Sequence, residues 1–327
     1  MRALLWLVLA AAGLWGGYWW VGSTSVEAGV TAWFDRQAQA GRVAQNEGVV
    51  VRGFPNRFDL TVKGLNLSDP ATGLGWQAPF VQVFSMSWKP WHLIAALSSG
   101  QVIVMRDQSV TVDGVGMKGS LQLHPNGGLG LYESRIEAAD VSVASDLGWR
   151  VGAARIFGST LEVGTAAHRL GLSVLELTPD AAFLAAVKGS DLPGVINRLH
   201  LDATAQFTAP LDRLAQQTQP RLTELTLADA RLIWGALQIT ATGGLKAGPD
   251  GLAEGEIAVK VAGWRRLPGV IAALGVVNPQ MEPSMTRALD VMAQAGADPE
   301  VLQFVLTCAK GQMSLGPFPL GPAPRLN

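Results

Sequence analysis

The chain opens with an uncharged apolar run over residues 3–21, directly after Arg2. An α-helix of this run is about 28 Å long at about 1.5 Å per residue, close to the hydrocarbon thickness of a bilayer. The run ends in three aromatic residues, Tyr18, Trp19 and Trp20. Such rings favour the membrane–water interface because they combine an apolar body with a polar hydrogen-bonding group. The pattern therefore predicts a transmembrane anchor over residues 1–22 with these aromatic side chains at the interface.

A cleaved secretory signal is the alternative interpretation of the same residues. Arg2 supplies the positive start, and the small residues at positions 10–12 supply a candidate cleavage site. The aromatic end of the run favours an anchor, because a cleaved signal has no use for an interfacial belt. Arg2 is the only charge before the run, so the positive-inside rule predicts a cytoplasmic N-terminus, a single span and an exported body.

Beyond the predicted anchor the hydrophobic period changes twice. Apolar residues first recur at helical spacing, which predicts a helix over residues 26–44 within a juxtamembrane segment over 23–45. From residue 48 onward the period is two, which is typical of antiparallel strands with one buried and one polar face. The sequence thus predicts a mainly β protein with a few α-helices. Its N-terminal transmembrane helix precedes an antiparallel β-sheet body, for which an elongated, curved sheet is one arrangement.

The C-terminal half repeats the alternating pattern with helices inserted. Helical spacing and capping residues predict helices at residues 181–188, 210–218, 284–295 and 298–311. A last strand over 312–315 leads into a Pro-rich tail over 316–324, expected along a surface or an edge because Pro cannot donate to a sheet ladder. We divide the body into an N-terminal β-rich unit over 46–190 and a C-terminal one over 191–327. The pattern leaves open whether the two form one continuous sheet.

Composition limits the function classes. The net charge is −1 and charged residues make up 16% of the chain, so there is no basic field for nucleic acid. The single cysteine, Cys308, excludes an intramolecular disulfide. Cys308 follows an apolar stretch and has no basic partner close in sequence, which favours a buried structural thiol over a reactive one.

No motif in the chain points to catalysis. Residues 114–119 match the G-x-G-x-x-G spacing of a dinucleotide-binding loop, but that loop needs a helix after the glycines. The following residues alternate like a strand, so we interpret the glycines as a hairpin turn. Four scattered histidines, His92, His124, His168 and His200, have no second ligand at metal-binding spacing. We expect a protein that is not an enzyme and has no cofactor and no metal.

Two local clusters are candidate binding residues. In the first, Gly53, Phe54 and Pro55 make a bend that leads into a strand with Arg57 and Asp59 on one face and Phe58 on the other. The structural interpretation is an Arg57 held by a carboxylate or by carbonyl groups. The functional interpretation is that Arg52 and Arg57 contact a lipid phosphate or a partner near the membrane.

The second cluster is an aromatic stripe, Phe80, Phe84, Trp88 and Trp91. Such a stripe on a strand is usually part of a hydrophobic core. On a curved sheet it is also able to line a groove for acyl chains. The stripe and the two arginines together are our candidate lipid- or partner-binding residues.

Several stretches together resemble a bacterial family, domain of unknown function 2125. They include the N-terminal span, the motif residues Gly53, Phe54, Pro55, Arg57 and Phe58, and the stretches 76–84, 263–265 and 315–322. The resemblance runs over nearly the whole chain and implies an inner-membrane-anchored protein with its body in the periplasm. It brings no catalytic residues. The strand-rich build is loosely similar to AsmA-like envelope proteins, whose curved sheets are associated with lipid handling.

We therefore expect a non-enzymatic protein of the cell envelope that binds membrane lipid or another apolar ligand. The alternative is an interaction scaffold that pairs an exposed sheet edge with another envelope protein. A hydrolase with a site assembled from residues distant in sequence is a third class. A pocket that gathers a Ser or Asp with one of the four histidines would favour it.

Overall fold

The computed structural model describes residues 1–275, 278–296, 298–315 and 318–326. Strands account for 53% of the chain and helices for 24%, so the predicted mainly β class is confirmed. The helices of the described residues are α1 (Arg2–Gln39), α2 (Ala181–Ala186), α3 (Ala215–Thr218), α4 (Leu267–Ala273) and α5 (Glu282–Gln294). Short 3-10 turns cover Lys188–Ser190, Trp264–Arg266 and Pro279–Met281.

The chain divides into two compact units. The first contains Met1–Pro125 and Ile136–Gly148, and the second contains Asn126–Arg135 and the chain from Trp149 onward. The strands of the first unit are β1 (Val43–Gln45), β2 (Gly48–Arg52), β3 (Arg57–Asp69), β4 (Leu74–Met86), β5 (Lys89–Leu97), β6 (Gln101–Val104) and β7 (Ser109–Leu123). Strand β8 (Leu131–Ser145) contributes residues to both units.

Helix α1 is continuous from Arg2 to Gln39, so the anchor and the predicted juxtamembrane helix are one element. No proline interrupts it, and both segments share the helical period. The predicted end at residue 44 is wrong, because Gly41 takes a left-handed φ of 80° and Val43–Gln45 pairs with β3 as a strand. Among the described residues, α1 alone is long and apolar enough to cross a membrane.

The first unit is an antiparallel sheet with α1 packed on one face. Strands β1 and β2 lie along β3, β3 pairs with β4, and β5 and β6 both lie between β4 and β7. Phe34 of α1 is buried against Val62, Leu65 and Ala78. Residues 57 to 69 of β3 run in the same direction as α1, because Trp19 contacts Arg57 while Phe34 contacts Leu65.

The second unit is an antiparallel meander in which each strand pairs with the next. Its strands are β9 (Arg150–Gly164), β10 (Ala167–Thr178), β11 (Ile196–Phe207), β12 (Leu222–Trp234), β13 (Leu237–Ala247), β14 (Ala253–Ala262), β15 (Val301–Ala309), β16 (Gln312–Leu315) and β17 (Phe318–Pro322). Its core is centred on two buried tryptophans. Trp234 donates to the Pro193 carbonyl at 2.6 Å and Trp264 to the Pro299 carbonyl at 3.0 Å. Burial is therefore achieved without leaving either indole N–H unpaired.

Two predicted elements are corrected. The predicted helix over 298–311 is the strand β15, in which buried Leu302 and Cys308 pair with Val261 and Gly255 of β14. The short apolar run fits both the helical and the strand period, and pairing with β14 favours the strand. Burial also raises the pKa of the Cys308 thiol, as expected for a structural cysteine.

The predicted hairpin turn over 114–119 is also wrong, because these residues lie inside the single strand β7. Gly116 takes a left-handed φ of 60° without reversing the chain. The preceding Asp113 accepts hydrogen bonds from Ser99 and Gly100, and so binds the turn between β5 and β6. The dinucleotide interpretation has no support, since no helix follows the glycines.

The remaining predictions of local structure hold with shifted bounds. Helices predicted over 181–188 and 284–295 correspond to α2 and α5, whereas the helix predicted over 210–218 is reduced to the single turn α3. Part of the Pro-rich tail forms β17, which pairs with β16. Gly316 and Pro317 of that tail lie outside the described residues.

Replacement of Leu302 by Ala tests the second core. Leu302 is buried in the cluster around Trp264, so L302A is expected to lower the free energy of unfolding by about 2–5 kcal/mol. The matched control is L274A, because Leu274 at the end of α4 is exposed and its truncation leaves no cavity. Denaturant unfolding of the full chain in mild detergent measures both, and equal stability of the two variants would contradict this core.

Candidate functional site

Three aromatic side chains of α1 bind the backbone of the β body. Trp15 Nε1 donates to the Pro55 carbonyl at 2.9 Å, and Trp19 Nε1 donates to the Arg57 carbonyl at 2.7 Å. Tyr18 Oη donates to the Ser87 carbonyl at 2.6 Å. We name these three residues, Trp15, Tyr18 and Trp19, the aromatic clasp. It joins the outer end of the apolar run directly to the sheet of the first unit.

The segment that receives the clasp is held in a tight loop. Gly53 has a φ of 105°, and its carbonyl accepts from the Arg57 amide at 2.9 Å. A Cβ at this position would lie 2.8 Å from the Arg57 carbonyl oxygen. The carbonyl of Asn56 accepts from both the amide and the hydroxyl of Ser87, at 2.9 and 3.1 Å. The loop over residues 53–57 and the turn at Ser87 are therefore bound to each other as well as to α1.

Aromatic rings of the loop pack on glycines of α1. Phe54 lies edge-on to Trp19 at 5.4 Å between ring centroids, and Phe58 stacks on Trp19 at 6.2 Å. A Cβ on Gly22 would lie 2.6 Å from the Phe58 ring, and one on Gly16 would lie 3.9 Å from Phe54. These glycines leave space in α1 for the rings of the Gly-Phe-Pro motif.

Sequence reasoning placed Tyr18, Trp19 and Trp20 at the membrane interface but missed the clasp. Trp15, Tyr18, Trp19 and Gly22 follow the i, i+3, i+4, i+7 spacing of one helix face. That spacing is a signal that points to a packed face. Trp20 lies off this face and is exposed, as suits a side chain that contacts lipid.

The opposite face of the sheet carries the predicted arginines. Because Phe58 faces α1, strand alternation turns Arg57 and Asp59 to the other side. Arg57 Nη2 donates to Asp59 Oδ2 at 2.7 Å, which confirms the predicted carboxylate partner. Arg52 lies directly across from Asp59 in the β2–β3 register. The second carboxylate oxygen, Asp59 Oδ1, is buried without a hydrogen-bond partner.

Apolar side chains continue this face beyond the arginines. Phe84 is the β4 partner of Asp59, and Met86 is the partner of Arg57. Ile94 of β5 lies opposite Phe84, and directly opposed residues in an antiparallel pair share a face. Met86 and Ile94 are exposed and Phe84 is half-buried. We name Arg52, Arg57, Phe84, Met86 and Ile94 the amphipathic strip.

The structure brings together only part of the predicted aromatic stripe. Phe80 lies four residues before Phe84 on β4, and its β3 partner is Lys63. Trp88 lies in the turn between β4 and β5 and is exposed. Trp91 precedes His92 by one residue, so alternation places it on the face opposite to Ile94. Within the described residues no ring–ring contact joins any two of these four aromatic side chains.

The second unit has an open depression of about 380 Å³ on β9, β10 and β11. Gly171 leaves its floor open beside Ser159. Arg169 donates to Asp202, which lowers the pKa of that carboxyl. The neighbouring Arg135 pairs with Glu133 in the same way, so the charged groups around the depression are already neutralised.

One histidine of this depression lies near a serine and a carboxylate. Ser173 and His200 are partners across β10 and β11, and His200 Nε2 lies 3.9 Å from Asp229 Oδ2. No hydrogen bond joins Ser173 to His200 in the described part of the chain. Because β10 and β11 are each paired on both sides, their backbone N–H groups are used by the ladders and are not free to bind an oxyanion.

The described residues contain no group of three or more His, Cys, Asp or Glu side chains arranged to hold a metal ion. His168 is buried beside Phe207, and its Nδ1 has no hydrogen-bond partner. Desolvation by burial lowers the pKa of His168 below 6.5, although Glu162 acts in the opposite direction. His168 is therefore a neutral core residue of the second unit at pH 7.

Residues 19–324 match a family model described as "Uncharacterized protein conserved in bacteria (DUF2125)". The chain belongs to this family. The match begins at Trp19 of the aromatic clasp, and it contains the whole loop over 53–57 and the amphipathic strip. Comparisons with curated proteins and with solved structures each find no match.

Replacement of Gly53 by Ala tests the junction. The new Cβ would collide with the Arg57 carbonyl at an already left-handed φ, so G53A is expected to lower the free energy of unfolding by about 1–3 kcal/mol. In the control G29A, no atom lies within 4 Å of the new Cβ, and Ala is the better helix former by about 0.5–1 kcal/mol. Denaturation in mild detergent measures both, and a G53A variant as stable as G29A would contradict the loop geometry.

The pH dependence of stability tests the burial of His168. The folded state holds this histidine with a pKa below 6.5, so the unfolded chain binds more protons in the window below pH 6.5. Stability should therefore fall as the pH is lowered through that window. The variant H168L removes the titrating group and should flatten this part of the profile. H92L is the matched histidine-to-leucine control at a half-buried position, and the difference between the two variants isolates the contribution of His168. An equal slope in H168L and the unchanged chain would refute the assignment.

Proposed function

We propose that this protein is a non-enzymatic, single-pass membrane protein of the cell envelope with its body in the periplasm. In this proposal the body binds an anionic phospholipid of the same membrane through the amphipathic strip. The observation that carries the proposal is the position of Arg52 and Arg57 on one sheet face with exposed Met86 and Ile94. Apolar and cationic groups side by side suit a lipid, which presents both acyl chains and a phosphate.

The charge of the strip favours a phosphate. Two arginines flank one carboxylate, Asp59, so the group carries one net positive charge. Arg57 is already paired with Asp59, whereas Arg52 has no ion pair among the described residues. Its guanidinium is thus available to donate two parallel hydrogen bonds to a phosphate, the geometry for which arginine is suited.

The height of the strip along α1 supports the same ligand. Arg57 accepts a hydrogen bond from Trp19 through its carbonyl, and Phe58 packs on Gly22. These contacts lie where the apolar run ends at Val21. With α1 across a bilayer, the two arginines lie at the level of the phosphates and the apolar residues lie beside them.

The two other function classes receive less support. An edge-pairing scaffold needs an open strand edge, and at the β17 edge two prolines have no N–H to donate. Among the described residues, a hydrolase site at His200 has neither a hydrogen bond from Ser173 nor free backbone donors for an oxyanion. Lipid binding at the strip therefore remains the function that the geometry supports best.

Replacement of Arg52 by Ala tests lipid binding. A hydrogen bond to a charged group contributes about 1.5–3 kcal/mol, so R52A should weaken binding of phosphatidylglycerol by about 10- to 100-fold. Native mass spectrometry of the full chain in mild detergent, titrated with phosphatidylglycerol, measures this change.

The matched control is R106A. Arg106 is an exposed arginine that lies beside Gly73, at the other end of β4 from Met86, so its removal should leave binding unchanged. Equal affinities for R52A, R106A and the unchanged chain would refute the strip as the site.

A further inference from the structure

We infer that the body itself enters the membrane beside its anchor, through a wedge made of Phe54, Pro55 and Trp88. The partner of this wedge is the outer leaflet of the bilayer that α1 crosses. The inference shares the membrane span with the proposed function, but it does not depend on phospholipid binding by the amphipathic strip. It assigns to the Gly-Phe-Pro motif a role in fixing how the body stands on the membrane.

The contacts of α1 set the depth of the wedge. The Phe54 ring lies 3.9 Å from the Cβ position of Gly16, and the Pro55 carbonyl is bound by Trp15. The apolar run continues to Val21, five residues beyond Gly16 and thus about 7 Å farther out along the helix axis. Phe54 therefore lies deeper than the end of the apolar run, at a level where α1 is surrounded by lipid.

Trp88 reaches nearly the same level. Its neighbour Ser87 is bound through its carbonyl to Tyr18, two residues above Gly16 and so about 3 Å higher along the axis. The exposed fraction is 63% for Phe54 and 54% for Trp88. Two large apolar side chains thus project from adjacent turns beside the membrane helix, and lipid is the partner that is continuous with that helix.

Backbone groups next to Phe54 and Trp88 are already hydrogen-bonded within the protein. A backbone group that enters the bilayer must be hydrogen-bonded within the protein. The carbonyls of Pro55, Asn56, Arg57 and Ser87 all accept hydrogen bonds from the first unit. Pro55 has no N–H. The amides of Asn56 and Arg57 both donate to the Gly53 carbonyl, and the amide of Ser87 donates to the Asn56 carbonyl. The clasp thus satisfies the carbonyls of Pro55, Arg57 and Ser87, which insertion would otherwise leave unpaired.

The charged residues nearest in sequence to the wedge flank it and are not part of it. They are Arg52, Arg57 and Lys89, of which Arg57 is paired with Asp59. Residues 53–56 and 87–88 carry no charge. A charged side chain at the depth of Phe54 would be costly, whereas arginines at the headgroup level are favourable.

Spin labels in the full chain test the depth. Single cysteines replace Phe54, Trp88 or Leu74 in a C308A background, and each labelled protein is placed in nanodiscs of phosphatidylcholine and phosphatidylglycerol. Leu74 is the matched control, because it is as exposed as Trp88, at 54%, but lies at the opposite end of β4. That distance is about 40 Å for a strand of this length.

The expected result is that labels at positions 54 and 88 collide with oxygen in preference to a water-soluble nickel chelate, and that the label at 74 shows the reverse preference. In a second variant, F54D should shift the label at 88 towards the nickel chelate, because the wedge is withdrawn. The label at 88 also keeps the test decisive if F54C does not fold, since no ring contact or side-chain hydrogen bond joins Trp88 to α1 in the described residues.

Nickel access at 54 and 88 equal to that at 74 would overturn the inference. This outcome is separable from failure of the proposed function. Labels at 54 and 88 that collide mainly with oxygen, together with unchanged phosphatidylglycerol binding in R52A, would support membrane insertion of the wedge and reject lipid binding at the strip. Labels at 54 and 88 that collide mainly with the nickel chelate, together with lost binding in R52A, would reject membrane insertion of the wedge and support lipid binding at the strip.

Discussion

The aromatic clasp is the constraint on which the arrangement of the first unit depends. Its three donors, Trp15, Tyr18 and Trp19, bind main-chain carbonyls rather than side chains. Each such bond contributes about 0.5–1.5 kcal/mol in net terms, but an unpaired carbonyl in an apolar medium costs several times more. The clasp therefore does two things at once: it fixes the body to its helix, and it satisfies backbone groups close to the lipid.

The position of the amphipathic strip follows from that contact. Because Phe58 must lie against Trp19 and Gly22, strand alternation sends Arg57 and Asp59 to the opposite face. The β3–β4 register then places Phe84 beside Asp59. The amphipathic strip is thus a consequence of helix docking, and its height along α1 is set by the same contact. In the second unit a different arrangement operates, in which helices cover one face of a meander around Trp234 and Trp264.

Local periodicity predicted the elements well where one period was long and unambiguous. The apolar run, the alternation in β3 and the amphipathic α5 are of this kind. It failed where a short apolar run fits two periods, as in β15, and where glycines were taken for a turn, as at Gly116 in β7. In both cases the neighbouring strands decide, because a ladder of hydrogen bonds compensates for weak local preference.

The sequence by itself determined that the chain has one apolar span with an aromatic end, a β-rich body, and Arg57 and Phe58 on opposite faces. Side-chain period is local, so these features need no knowledge of distant residues. Tertiary structure alone decided that one continuous helix joins the span to Gln39. It also decided that the clasp binds the Pro55 and Ser87 carbonyls and that Phe84 shares a face with Arg52. The acceptors of the clasp are backbone carbonyls, which every residue has, so no residue type marks them in the sequence.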